Sequence, residues 1–164
     1  MKLTFIGGKG TGKGKFEMPS IGDLDKAIDG LRGIEDSMVD AIVKDVQARI
    51  ATTLAKNIVE GTPVLTGKAR RNWFASLGAP SNETTEEVAG VTFTGDPETD
   101  EEAARIAAVV KQLRETPVGE TFYMTNNLDY VVGLEAGTGS QKAPDGILLV
   151  AILRTIEELK QGEG

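Results

Sequence analysis

The chain has 164 residues, 40% of them apolar and 26% charged, the proportions of one globular domain that can bury roughly 70% of its unfolded surface. Its 18 basic and 25 acidic side chains leave a net charge of −7, a balance that argues against tight binding to nucleic-acid phosphates. Cys and His are both absent. That removes disulfides, thiolate and triad nucleophiles and the thiolate and imidazole zinc sites, and leaves carboxylate–metal, carboxylate acid/base or lysine chemistry.

The chain opens on a short apolar strand, Leu3 to Ile6, followed by GGKGTGKGK, which reads as a mobile loop; residues 1–22 form a Gly/Lys-rich arm. The apolar part of this start is too short for a signal peptide, and no apolar stretch approaches the ~20 residues of a membrane span. The sequence therefore predicts a soluble protein made in a cytoplasm, with one domain over 23–164. From about Asp23 to Glu60 a helical period appears, with Leu24, Ile28, Leu31, Met38, Ile42, Val46, Ile50, Leu54 and Ile58 as one inward stripe. Gly30 and Gly33 predict a break or bend in its first third. Gly61 in a left-handed cap and Pro63 after it predict the stop.

Beyond Pro63 the period changes. Thr66 is placed to cap a short helix over Gly67 to Asn72, and Trp73 to Leu77 reads as extended. GAPSNETTEE is a connection, and Val88 to Thr94 alternates as a strand does. The acidic run 96–102 leads into a helix from about Asp100 to Glu115, with Ala103, Ile106, Val109, Val110 and Leu113 inward and a capping box of Thr99 and Glu102. A strand over Thr121 to Thr125 comes next, then a short helix over 129–136 ended by Gly137. The last helix, from about Gly146 to Lys160, starts just after Pro144. The order predicts an α+β fold: a long N-terminal helix on a small antiparallel sheet of about three to four strands, with helices at the C-terminus.

Three segments invite a chemical reading. Gly7 to Lys13 matches G-x-x-x-x-G-K, yet Gly14 stands where a phosphate-binding loop needs Ser or Thr for magnesium, and KFEMPS offers no helix start. A flexible basic arm is the better reading. Asp96, Glu98 and Asp100 are spaced like the start of a calcium loop, but Glu101 replaces the required Gly and Ala107 the final Glu. Acids there suit the start of a helix. Lys68, Arg70 and Arg71 beside Trp73 could contact an anion; with no aromatic ladder in the chain, pairing with acids of this or a neighbouring subunit fits better. No catalytic, cofactor or metal residues are assigned.

Two stretches, GTPVLTGKARRNW (61–73) and FYMTNNLDYVVGLEAGTGSQKAPDGIL (122–148), resemble the neck or tail-completion (minor tail component) proteins of lambdoid siphophages among the tailed bacteriophages. That family carries a Thr-Pro-Val-x-Thr-Gly turn after a long helix, then Asn-Asn-x-x-Tyr, Leu-Glu-x-Gly and Gln-x-x-Pro-x-Gly in that order. Here the turn falls on Thr62, Pro63, Thr66 and Gly67, with Arg70, Arg71 and Trp73 following. The later motifs fall on Asn126, Asn127 and Tyr130, on Leu134, Glu135 and Gly137, and on Gln141, Pro144 and Gly146. Residues 1–22 and 78–120 carry none of it. Leu65 stands where the family usually has Asp, and Ala136 where it has an aromatic.

The resemblance implies a structural virion protein and not an enzyme. It would be a ring at the head–tail junction joining the head connector to the tail, with DNA passing through its lumen without specific binding. Partners implied are further copies of itself (a hexamer first, a dodecamer second), the connector or adaptor, and the tail-terminator or tail-tube protein; no cofactor and no membrane enter. A tail-terminator ring capping the tube is the alternative within the class. A P-loop-like nucleotide hydrolase and a cytoplasmic binding module using the basic arm are the alternatives outside it. Glu135, an acid within apolar YVVGLEAG, is expected to pair with Arg70 or Arg71.

Overall fold

The structure is a computed structural model that describes residues 21–86 and 93–162. Its elements run α1 (Ile21–Gly61), α2 (Lys68–Arg71), β1 (Phe74–Leu77), α3 (Glu101–Glu115), β2 (Phe122–Thr125), α4 (Val131–Glu135) and α5 (Leu148–Gln161). Helix and sheet are mixed, as expected of an α+β chain. The described sheet has two strands, not three or four: β1 and β2 pair antiparallel, with Phe74 opposite Thr125 and Leu77 opposite Phe122. The strand expected over Leu3–Ile6 and most of the one expected over Val88–Thr94 lie outside the described residues. Phe93 and Thr94, which are described, are not in a strand.

Two units divide the chain, one ending at Ala41 and the other beginning at Ile42, so the boundary falls within α1. In the first unit, every residue from Asp25 to Ala41 is exposed. The helix runs unbroken through Gly30 and Gly33. Each glycine costs only about 1 kcal/mol relative to alanine, too little to interrupt a ladder of 41 residues.

The second unit holds the core. Helix α1 meets it through Ala48, Ala51, Ala55, Ile58 and Val59, spaced so that small side chains share one face and the backbone comes close. The large aliphatics expected to point inward mostly do not: Ile42, Val46 and Ile50 are exposed, Leu54 is half-buried, and of the stripe's members in this unit only Ile58 belongs to the core. Hydrophobic period found the helix and named the wrong face, because alanine contributes little to such a pattern.

Helix α3 buries Ala103, Ile106, Val110 and Leu113 as expected and packs on β1. Its cap is Asp100, not Thr99: the Asp100 carboxylate accepts from the amides of Glu102 (3.1 Å), Ala103 (3.2 Å) and Thr94 (2.8 Å). Burial pushes this carboxyl up, but the hydrogen bonds outweigh it and hold it below the usual aspartate range. Glu102, freed from the capping box, turns inward beside Arg71 (3.0 Å), and burial raises its carboxyl.

Helix α1 also ends differently from expectation. Gly61 is its last residue and is not left-handed. The stop comes from Thr62, whose hydroxyl donates to the Ile58 carbonyl at 2.7 Å, and from Pro63, which has no amide to continue the ladder.

Candidate functional site

The Thr62 hydroxyl that closes α1 is completely buried and also accepts from the Trp73 indole N–H at 2.8 Å. One side chain thus ties the helix end to the chain entering β1. Arg70, one turn into the connecting segment, donates to the carbonyls of Glu60 (3.3 Å) and Thr62 (3.2 Å). It fills the role a cation plays at a helix C-terminus, and burial lowers its guanidinium from the ordinary value. Gly67 takes φ 89°, the left-handed turn that starts α2. The expected cap by Thr66 is slight: the Lys68 amide reaches its hydroxyl at 3.4 Å.

The asparagine pair works through backbone. Asn126 donates to the Ala69 carbonyl at 2.8 Å, fastening the end of β2 to α2. Asn127 donates to the carbonyls of Ser81 (3.0 Å) and Glu83 (2.9 Å), holding the 81–86 segment. Asn72, fully buried, is a third such staple that the sequence reading passed over. It donates to the carbonyls of Lys68 (2.8 Å) and Thr85 (2.9 Å) and accepts from the Thr85 amide (2.8 Å). Its signal was an Asn at the C-terminal end of a short helix, directly before the core tryptophan.

Glu135 does not pair with an arginine. Its Oε2 accepts from the amides of Ile147 (2.8 Å) and Leu148 (2.9 Å), the open start of α5. A carboxylate at a helix N-terminus satisfies two orphan donors and opposes the positive end of the dipole. Arg71 instead binds Glu101 (2.9 Å) and Glu102 (3.0 Å). The winding that brings Glu135 to α5 leaves room only for glycine. A Cβ on Gly137 would sit 2.1 Å from the Pro144 carbonyl oxygen, and one on Gly146 would sit 2.5 Å from the Glu135 carbonyl oxygen; both residues have φ above 70°. The Leu-Glu-x-Gly and Pro-x-Gly motifs are therefore two halves of one tight fold of chain.

These pieces enclose a cleft of about 680 Å³ between the 63–69 turn and the 130–142 segment. Pro63, Thr66, Gly67, Tyr130, Leu134 and Gln141, all motif residues, line it. Thr62, Arg70, Trp73 and Asn126 brace it from behind; Arg71 and Asn127 act elsewhere. Val64 and Leu65 stand at its edge, Leu65 with 97% of its surface exposed. Lys68 and Lys142 supply its charge, and Lys68 is engaged by Glu86. Among the described residues the lining contains no carboxylate, so the cleft suits an apolar group beside an anion and has no carboxylate for acid/base work. The described residues also contain no cluster of acids close enough to hold a metal ion, and no helix among them is long and apolar enough to cross a membrane. The phosphate-loop-like residues 7–14 lie outside the described residues. Compared with protein-family models, curated proteins and solved structures, the chain matches none.

Proposed function

We propose that this chain is a structural component of a tailed-phage virion, a neck or tail-completion protein that forms a ring joining the head connector to the tail. What supports the reading is the cleft. Four short motifs that resemble those of that family, spread over residues 62–146, fold into one piece of structure in which most of them line or brace a single cleft. Turn residues scattered by chance would have no reason to converge. The acidic balance fits a channel wall that must let DNA slide, since rows of Lys and Arg would hold phosphates. A sheet of three to four strands belongs to the same reading, as does a sixfold ring, with twelvefold second.

Deleting the gene from the parent phage tests it. The neck role predicts filled heads and separate tails of normal length that fail to join. Overgrown tails would point to the terminator role instead, and infectious particles from the deletion would remove the virion reading altogether.

A further inference from the structure

Helix α5 turns its apolar side outward. Its buried residues are Ala151 and Thr155, and Thr155 accepts from Asn57 of α1 at 3.1 Å, which sets that side against the second unit. Leu148, Leu149, Ile152, Leu153 and Ile156 are each 38–58% exposed. At ~100° per residue, the last four of these fall within about 100° of arc on the side away from Ala151. Lys160 stands in the same arc. Arg154 lies on the opposite side of the helix, and Glu157 edges the stripe beside Leu153, where it accepts from Gln161 at 3.2 Å.

The stripe is symmetric about its middle. Leu149 stands three residues before Ile152, and Ile156 stands three after Leu153. Asp145 stands seven before Ile152, and Lys160 seven after Leu153; both are exposed. Neither charge has an ion-pair partner among the described residues. An apolar surface that reads alike from both ends, with opposite charges at those ends, is complementary to itself under a twofold axis.

We propose that α5 packs antiparallel on α5 of a second copy, about a twofold axis that passes between Ile152 and Leu153. Leu149 of each copy then meets Ile156 of the other, the Ile152 and Leu153 side chains fill the centre, and Lys160 of each copy comes to Asp145 of the other. A parallel pairing would instead set Lys160 against Lys160 and Asp145 against Asp145, and like charges suppress that arrangement. In the antiparallel pair the two Glu157 stand nine residues apart along the axis, roughly 13 Å at a rise of about 1.5 Å per residue. That exceeds a Debye length of about 10 Å, so their repulsion is screened. The antiparallel helix dipoles oppose each other as well.

Five large side chains with about half their surface free offer on the order of 450 Å² of apolar area per partner, against the roughly 800 Å² of a standard interface. The area marks a weak, reversible dimer, one that a second contact between the same copies would reinforce. A twofold contact closes after two copies, so it goes beyond the proposed ring, whose subunits meet by unlike surfaces; the two contacts together double the ring. The inference does not depend on the virion.

The chain has no Cys, so an introduced thiol reports one position. Full-length Leu149→Cys and Ile156→Cys proteins, mixed in equal amounts and oxidised, should form the 149–156 disulfide at least tenfold faster than 149–149, 156–156 or a control pairing 149 with Glu98→Cys. Leu153→Asp should weaken dimerisation at least tenfold in sedimentation equilibrium, with far-UV circular dichroism unchanged. Lys160→Glu should weaken it at least threefold, and Asp145→Lys added to Lys160→Glu should restore it. Dominant 149–149 and 156–156 bonds would mean a parallel pair and overturn the proposal. So would a protein that stays monomeric at every concentration reached, a Leu153→Asp protein that associates like the parent, or a charge swap that fails to rescue Lys160→Glu. A strong 149–156 bond in a protein dispensable for head–tail joining would keep this contact and remove the virion reading; a protein essential for joining that never dimerises would do the reverse.

Discussion

Thr62 shows how much one hydroxyl can carry. It donates to the Ile58 carbonyl, ending α1, and accepts from Trp73, fixing the largest side chain of the core. Thr62→Val keeps shape and volume but leaves a buried indole N–H without an acceptor, a loss of roughly 1–3 kcal/mol. Thr62→Ser keeps the hydroxyl and should lose less. Urea unfolding reads both, and a Thr62→Val midpoint equal to the parent's would refute the role given to this hydrogen bond. The sequence already marked Thr62 as a turn residue and Trp73 as the start of an extended segment. The bond between them was hidden, because it depends on α2 bringing back a residue eleven positions away. The partner of Glu135 was misread for a related reason, although Arg71 does pair with acids, Glu101 and Glu102, as its cluster was expected to. Charge suggested a partner for Glu135, while backbone groups at two helix ends, carbonyls for Arg70 and amides for Glu135, were nearer and equally in need.

Among the elements, those that bury large side chains at their own period were legible. Helix α3 matched the expected inward residues apart from the half-buried Val109, and β1 and β2 fell within the segments read as extended. Helix α1 was legible in extent but not in face, since a core built on Ala48, Ala51 and Ala55 gives a weaker pattern than the aliphatics turned outward. Caps were the least legible, because position within the first turn decides which oxygen reaches which amide; Asp100 displaced Thr99 by one residue. Helix α5 depends on such a cap from outside itself. Glu135→Ala removes the acceptor for its first two amides and should cost about 1–2 kcal/mol. That is less than the 3–5 kcal/mol of a broken buried ion pair, since no cation is stranded. Glu135→Gln should retain part of the cap. Thermal unfolding of the two variants checks this, and a Glu135→Ala protein as stable as the parent would show that α5 needs no such partner.

For the molecule as a whole, the apolar faces on α1 and α5 and the cleft between the two motif segments make sense in an assembly more than in an isolated chain. Exposed apolar patches of this kind are often interaction sites. Sequence could supply the motifs and the helices, but not that the motifs would meet in one cleft, nor that the longest helix would keep its large aliphatics outside the core. The central claim is that copies of this chain form a ring at the junction of head and tail, and counting copies in the particle tests it most directly. Quantitative mass spectrometry of purified virions, scaled to a tail protein of known copy number, should give about six copies per particle, or twelve if the ring is doubled. Purified virions that contain none of the protein would contradict it.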